Sequence, residues 1–376
     1  MSRSSALSAA LLCSVLLSAM ADSRAEDGPQ YRDPKSQSLG RTGVASSQGG
    51  TALYLNPAAL GREEGGGMGL SMDLGLNSVL LDYAAWASDN RQYLDNMDSL
   101  LARIGPVDNK WAPFSQSLLL YGNWQGVAFS ALVDTRYKVT VARAVLTPVL
   151  GVGALSDVVL TAGKGFRADY GYRFGFALKY IHRSRFEDRL IGATDDPFYT
   201  AKKALENPDD GWSGTFAKLG VAGEIAESSQ GAGLNLGAEK DLNQDWTAGL
   251  SLIDFPTIID QAFTRPDINL GLSYHHGVQW MTDLENKVLV NLDWQRFLIP
   301  GTPWFKQLKM GAALEGYLNK RPVGYIGIGI NDGYPTFGLR FGYLVYLSYV
   351  YVAEEVGTYP GQEKLSFHKI GLEAEF

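Results

Sequence analysis

The sequence predicts an all-β protein, a transmembrane antiparallel β-barrel of about 14 strands with a helical segment in one loop. Three observations predict this fold class. An apolar run near the N-terminus is typical of an export signal, and many segments of about ten residues alternate apolar and polar side chains. The last of these segments ends on Phe376.

Residues 1–21 are expected to be a secretory signal peptide. A positive start at Arg3 is followed by an apolar run from Ala6 to Met20, which closes on a small-residue pattern ending at Ala21. A membrane-spanning helix is the weaker interpretation, because the run is shorter than the roughly 20 residues that a bilayer requires. Cleavage after Ala21 would remove Cys13, the only cysteine, and would exclude disulfides and thiolate metal sites from the mature chain.

The remaining composition narrows the function classes. The formal net charge is −7, and no cluster of Lys and Arg is present, so nucleic acid is not an expected partner. After the signal no run of 18 apolar residues remains, which excludes helical membrane spans. A barrel stays compatible with this composition, because its membrane face occupies only every second residue.

From Gly67 onward the chain alternates repeatedly, and successive side chains of a strand point to opposite faces. Apolar positions at period two are Phe174, Phe176, Leu178 and Tyr180; Ala232, Leu234, Leu236 and Ala238; Ile268, Leu270, Leu272 and Tyr274; Val288, Val290, Leu292 and Trp294; and Leu308, Met310, Ala312 and Leu314. Turns are predicted at 227–231 and 331–333. A soluble β-sandwich would rarely need so many segments of this length, so the pattern favours a membrane barrel.

The C-terminal segment supports that choice. Ile370, Leu372, Ala374 and Phe376 alternate with polar residues. An amphipathic last strand ending in an aromatic residue resembles the signal by which outer-membrane proteins reach the barrel-assembly machinery. We therefore expect the cell outer membrane of a Gram-negative bacterium as the location, with membrane lipid, lipopolysaccharide and the assembly machinery as partners.

The strand count is less well defined than the fold class. A literal count gives 17 segments, whereas bacterial single-chain barrels have even numbers, so roughly 12 to 16 strands fit the pattern. The stretches 67–86 and 138–150 and the join near Gly342 are ambiguous. Residues 90–104 place Tyr93, Met97 and Leu101 at helical spacing, and residues 195–210 form a second short candidate helix. The first helix either packs for stability or presents an apolar groove to a ligand.

Two regions resemble a known family. Residues 38–45 (SLGRTGVA) lead to residues 52–60 (ALYLNPAAL), and this resembles the N-terminal signature of the FadL superfamily of outer-membrane barrels. Residues 333–339 (GYPTFGL) and 347–351 (LSYVY) look like the last hairpins of its PorV and TraF-like branch. The resemblance implies that residues 22–65, including Gly40, Asn56 and Pro57, form a hatch that plugs a barrel of residues 66–376.

The function implied by this resemblance is a passive channel for long-chain fatty acids or similar hydrophobic small molecules. The ligand would bind near Tyr93, Met97 and Leu101. The alternative is a barrel that transports nothing and serves as an accessory of a secretion or conjugation machine, with protein partners of that machine. Asn56-Pro57 either holds the hatch in place or is only a turn before the first strand.

The sequence gives no sign of catalysis. His275 and His276 would lie on opposite faces of a strand and could not bind one ion together. No Gly-x-Ser-x-Gly element is present, and Gly163-Lys164-Gly165 lacks the rest of a phosphate-binding loop. We therefore predict that the chain is not an enzyme, with no catalytic residue, no metal site and no cofactor.

Overall fold

The computed structural model describes residues 31–63, 65–90, 92, 103, 105, 110–143, 148–192, 227–281, 284–297, 299, 301–319, 321–356, 361–362 and 364–376. The strands in these residues are β1 Gly66–Asn77, β2 Lys110–Trp124, β3 Val127–Arg143, β4 Pro148–Arg167, β5 Tyr172–Gly192, β6 Glu227–Asp241, β7 Trp246–Ile253, β8 Thr257–Ile259, β9 Ala262–Phe263, β10 Asp267–Met281, β11 Leu284–Trp294, β12 Leu308–Leu318, β13 Arg321–Asn331, β14 Tyr334–Gly342, β15 Val345–Glu355 and β16 Lys364–Glu375. The α-helices are Pro34–Ser38, Gly49–Leu55, Ser78–Asp89 and Trp304–Gln307, and 3-10 helices cover Pro57–Arg62 and Asp169–Gly171.

Fourteen of the described strands form a closed antiparallel barrel, as the sequence predicted. Strands that follow each other in the chain pair side by side, and β7 pairs with β10 across the small β8–β9 hairpin. The seam between β1 and β16 closes the ring, with Met72 opposite Leu372 and Leu76 opposite His368. Among the residues described, no helix combines the length and the apolar composition that a membrane span requires.

The predicted alternation sorts side chains between the two faces of the wall. Phe174, Leu178 and Ile370 lie on the outer face, where each side chain is at least half exposed. The polar residues that alternate with these apolar ones point into the lumen and are buried. Asn235 is fully inaccessible there, and Glu239 is 2% exposed. An apolar outer face suits lipid, since a barrel hides its polar positions inside.

The two ends of the barrel differ in their connections. The pairs β2–β3, β4–β5, β6–β7, β10–β11, β12–β13 and β14–β15 are each connected at one end of the barrel, which we call the short-turn end. β1 and β5 end, and β2 and β6 begin, at the other end, which we call the long-loop end because the longest intervals between strands fall there. In outer-membrane barrels short turns face the periplasm and long loops face outward. β1 begins and β16 ends at the short-turn end, as an even strand number requires.

The ambiguous stretches are resolved in physical terms. Residues 67–86 divide into β1 and the helix Ser78–Asp89, which Asn77 caps by accepting the Val79 N–H at 2.7 Å. Residues 138–150 divide at the gap between β3 and β4, and Gly342 ends β14. The predicted turn at 227–231 was wrong, because those residues begin β6 and pair with Arg185 to Ile181 of the long β5.

Most of the predicted helix at 90–104, including Tyr93, Met97 and Leu101, lies outside the described residues, and so does the second candidate helix at 195–210. The helix that the structure does describe in this connection precedes it. Val79, Leu80 and Trp86 pack around Tyr83 and Ala112, so this helix is fixed on β2 at the long-loop end.

Candidate functional site

The lumen is occupied by residues 31–62, which we call the inner segment. It contains the short helices Pro34–Ser38 and Gly49–Leu55 and the 3-10 helix Pro57–Arg62. Glycines on the inner face of the wall allow its backbone to approach closely. A Cβ atom would overlap the inner segment at Gly175, Gly237, Gly249, Gly311, Gly329 and Gly338. These strands lie on different sides of the barrel, so the segment crosses its interior.

Asn56 connects the inner segment to itself and to the wall. Its Oδ1 accepts the Ala58 N–H at 3.1 Å and so caps the 3-10 helix that Pro57 begins. Its Nδ2 donates to the Val44 carbonyl at 2.7 Å and to the Ala238 carbonyl of β6 at 3.4 Å. The side chain is fully buried. The turn at Asn56-Pro57 therefore lies inside the barrel and organises the segment there.

Gly40 is fixed against the opposite side of the lumen. Its φ of +72° is in the left-handed region, and an added Cβ would overlap the carbonyl oxygens of Ile330 and Met310. Its N–H donates to Thr336 Oγ1 at 3.0 Å, and that hydroxyl donates to the Ser38 carbonyl at 2.7 Å. Any other residue at position 40 would lose this close fit.

Asp293 and Asn291 of β11, together with Gln295 just after it, hold the middle of the inner segment. Asp293 Oδ2 accepts the backbone N–H groups of Gly43 at 2.8 Å and Val44 at 3.1 Å. Asn291 Nδ2 donates to Ser46 Oγ at 2.8 Å, and Gln295 Nε2 donates to the Arg41 carbonyl at 2.8 Å. The sequence showed these residues only as the polar half of an alternating strand. Their period of two indicated that they face the lumen, but it did not indicate which residues of the inner segment they contact.

The remaining face of the inner segment is apolar. Leu53 and Leu60 pack with Tyr54 against inward residues of β2 to β5, all of them nearly inaccessible. The wall residues of this cluster are Leu119, Ala128, Leu132, Val159, Ala177 and Ile181, with Ile259 of β8 beside them. Complete burial of one Leu stabilises by roughly 1.5–3 kcal/mol. Hydrophobic packing therefore fixes one side of the segment, and hydrogen bonds fix the other.

Cavities remain above and below the inner segment. At the long-loop end a cavity of about 630 Å³, which we call the vestibule, lies between the segment and the loops. At the short-turn end a cavity of about 390 Å³ lies below it. Cations lining the vestibule outnumber acids by eight to four, whereas the lower cavity has five acidic and two basic side chains among its described residues. The lumen is thus polar at both ends, with opposite excess charge.

Other candidate chemistry is not assembled in the part of the chain described. Within those residues no group of three or more His, Cys, Asp or Glu side chains is placed to hold a metal ion. His276 Nδ1 of β10 lies 3.3 Å from Oδ1 of Asp245, which is in the turn before β7. His368 Nδ1 lies 2.8 Å from the Tyr349 hydroxyl. Of the predicted site residues, the structure brings Gly40, Asn56 and Pro57 into the lumen.

No known family profile matches the chain, and no curated protein matches it. Solved structures do. A mutant of the TodX monoaromatic hydrocarbon channel has 12% identity and a TM-score of 0.52, covering 92% of this chain and 97% of its own. The Pseudomonas putida toluene transporter TodX has 13% identity and a TM-score of 0.49, covering 94% and 99%. The Ralstonia pickettii toluene transporter TbuX has 11% identity and a TM-score of 0.46, covering 92% and 98%.

At these identities the likeness concerns the fold, and it rests on the match above a TM-score of 0.5. It agrees with the closed barrel of fourteen strands and with its apolar outer face. The chain therefore shares the barrel fold of the TodX hydrocarbon channel, and this agrees with the fold expected from its resemblance to FadL-type outer-membrane barrels.

Proposed function

We propose that this chain is a gated outer-membrane channel for passive uptake of hydrophobic small molecules, with long-chain fatty acids among its substrates. One observation carries the proposal. The inner segment lies in the lumen of the barrel and buries an apolar face on the wall. The proposal assigns transport and no catalysis to the chain, and the solved structures that it resembles are named as channels or transporters.

The apolar cluster defines a route for such a substrate. A hydrophobic molecule gains roughly 25 cal/mol per Å² of apolar surface that it buries. In the described lumen, Leu53 and Leu60 against β2 to β5 form the main continuous surface of this kind. A substrate would replace the inner segment there, and the segment would shift away from its wall contacts. In this proposal residues 22–65 are the hatch, and residues 66–376 are the barrel.

Entry belongs to the long-loop end. Leu81 of the helix Ser78–Asp89 is 44% exposed there, while the rest of its apolar face packs on β2. The adjoining residues Tyr93, Met97 and Leu101 are proposed to extend this surface into a groove that collects the ligand. Only the concentration gradient and apolar burial would drive uptake.

A strain lacking this chain tests the proposal. Uptake of a labelled long-chain fatty acid, of toluene and of a hydrophilic sugar is measured before and after the gene is restored. We expect restoration to increase uptake of the first two and to leave sugar uptake unchanged. Leu132→Asn, which places a polar group in the apolar cluster, should reduce the gain, and Leu120→Asn on the outer face is its control. Unchanged uptake of every hydrophobic compound would contradict transport.

A second candidate function has its own support. Both cavities beside the inner segment are lined largely by charged and polar residues, which suits a barrel that stays closed. Such a barrel would serve as an accessory of a secretion or conjugation machine. Stable partner proteins that co-purify with the chain, together with uptake that does not depend on it, would favour this function over transport.

A further inference from the structure

We propose that the vestibule at the long-loop end binds a hydrophilic small anion with at least two negative charges, of the phosphate or polycarboxylate class. This inference does not depend on the proposed transport. It rests on the cavity of about 630 Å³ and on the cations that line it. The cationic residues are Arg32, Arg41, Arg136, Arg265, Arg296, Lys306, Lys309 and Lys369, and the acidic ones are Asp134, Asp332, Glu354 and Glu355.

Half of these cations already have carboxylate partners. The ion pairs are Arg41 with Glu354 at 2.7 Å, Arg296 with Asp267 at 3.0 Å, Arg136 with Asp134 at 3.0 Å and Asp157 at 3.1 Å, and Lys309 with Asp332. Within the described residues, Arg32, Arg265, Lys306 and Lys369 have no carboxylate at ion-pair distance. Glu355 accepts hydrogen bonds from the Tyr334 hydroxyl at 2.8 Å and the Gly361 N–H at 2.6 Å.

Two further acids lie near the vestibule: the charge of Asp293 acts on Arg32 and that of Asp73 on Lys369, and both carboxylates also accept hydrogen bonds. Asp293 accepts the N–H groups of Gly43 and Val44. Asp73 Oδ2 accepts hydrogen bonds from the hydroxyl groups of Ser71 and Ser117, each at 3.4 Å. With Asp157 and Asp267, these acids equal the cations of the vestibule in number, but among the described residues none lies at ion-pair distance from Arg32, Arg265, Lys306 or Lys369.

Arg32 shows most clearly that this charge needs a partner. Its guanidinium donates to the Arg41 carbonyl and, at 3.1 Å, to Gln295 Oε1, both neutral acceptors. Burial, and then the nearby charges of Arg41 and Arg296, lower the pKa of Arg32 to about 10, and the charges of Asp267 and Asp293 offset part of this effect. A buried cation without a carboxylate at ion-pair distance is only partly compensated, and a bound anion would supply that contact.

The placement of the four unpaired cations indicates the charge of the ligand. Arg32 belongs to the inner segment, Lys369 to β16, Lys306 to the helix Trp304–Gln307, and Arg265 to the connection before β10. A single charge would neutralise only one of them, whereas a multivalent oxyanion offers several acceptors to separate cations. Such an anion would bridge the inner segment and the wall.

The test uses the full chain, purified in detergent free of lipopolysaccharide, and titrates citrate, inorganic phosphate and acetate by calorimetry at constant ionic strength. We expect saturable binding that weakens from citrate to phosphate to acetate. The double variant Arg265→Gln/Lys306→Gln lies outside the strands and should weaken citrate binding at least about tenfold, as expected for lost charge-assisted hydrogen bonds. Arg32→Gln should do the same.

Lys164→Gln and Lys240→Gln are the matched controls, because these lysines lie over Phe166 and Tyr172 near the short-turn end. They should leave citrate affinity unchanged. Should Arg32→Gln fail to fold, the loop double variant still decides the question. Absence of saturable binding, equal affinity in the double variant, or binding of lipopolysaccharide without any free anion would each overturn the proposal.

Discussion

The carboxylate of Asp293 on β11 accepts the backbone N–H of Gly43 at 2.8 Å, across 250 positions of sequence. The same oxygen accepts the next N–H, that of Val44, at 3.1 Å. One wall side chain therefore satisfies two consecutive donors of the inner segment. A buried N–H without an acceptor is costly, so this relationship holds the segment to the wall more firmly than a single hydrogen bond would.

Asp293→Ala is expected to loosen the inner segment. The change leaves two buried N–H groups without acceptors, at a cost of about 1–3 kcal/mol for each. Asp293→Asn keeps one acceptor oxygen and should be milder. Protease cleavage within residues 31–62 of the folded barrel measures the effect, since cleavage reports local opening. Asp245→Ala, in an exposed turn, is the control, and a cleavage rate equal in all variants would show that Asp293 does not anchor the segment.

Gly237→Ala should displace the Asn56-Pro57 turn. The added Cβ would overlap Asn56 Oδ1 and lie 2.7 Å from the Ala58 nitrogen. Overpacking of this kind costs about 1–3 kcal/mol. Faster protease cleavage of the inner segment and higher ion conductance in planar bilayers are expected. Gly122→Ala is the control, because its nearest neighbour, Met68 Cγ, would be at 3.8 Å. Wild-type conductance for Gly237→Ala would contradict a sealing role for this turn.

A reversible crosslink can test whether the inner segment must move. A Cβ placed at Gly327 would lie 3.4 Å from the Ser38 Cβ, near the typical spacing of a disulfide, about 3.5–4.5 Å. In Ser38→Cys/Gly327→Cys we expect uptake of hydrophobic compounds to fall to background when oxidised and to recover on reduction. In each single variant, uptake should be the same under oxidising and reducing conditions. Equal uptake in both states, with the disulfide verified by mass spectrometry, would show that uptake does not require the inner segment to move away from β13.

Glu63 should make the anchoring of the inner segment depend on pH. Its Oε1 accepts the Gly49 N–H at 2.6 Å, and its Oε2 accepts from Asn123. Burial raises the pKa of Glu63 above its ordinary value of 4.5, partly offset by these hydrogen bonds. The folded state then binds the proton more readily than the unfolded state, so this contribution to stability falls as pH rises through the raised pKa.

Protease cleavage of the inner segment, measured from pH 4.5 to pH 8, tests this dependence, the lower limit being the ordinary pKa. Cleavage should accelerate toward higher pH in the wild type more than in Glu63→Gln, which cannot ionise. The variant keeps an oxygen for the Gly49 N–H. Identical pH profiles would show that Glu63 contributes no such dependence.

The barrel wall was predictable because lipid imposes a strict period on each strand. Phe174 and Leu178 showed their outward face in the sequence, and so did Ile370 near the C-terminus. The turn predicted at 227–231 is instead the start of β6. These polar residues belong to a strand because β5 and β6 extend where the wall no longer needs an apolar outer face. The helix Ser78–Asp89 was missed although Asn77 and Val79 carry a capping signal, because the alternation before it continues into apolar residues.

The site was predictable only in part. Gly40, Asn56 and Pro57 came from a family resemblance, and the structure places them in the lumen. The partners of the inner segment depend on which inward side chain of a distant strand meets it. The pairing of Asp293 with Gly43 follows from strand register and lumen shape, which no local pattern encodes.

The seam between β1 and β16 has a consequence for biogenesis. Gly69 lies opposite Glu375, and the Phe376 N–H donates to the Met68 carbonyl at 2.9 Å. The ring can close only after the last strand has been made, and the inner segment directly precedes the first strand. The inner segment is therefore already part of the chain when the ring closes. We expect that insertion need not pass through a barrel with an empty lumen.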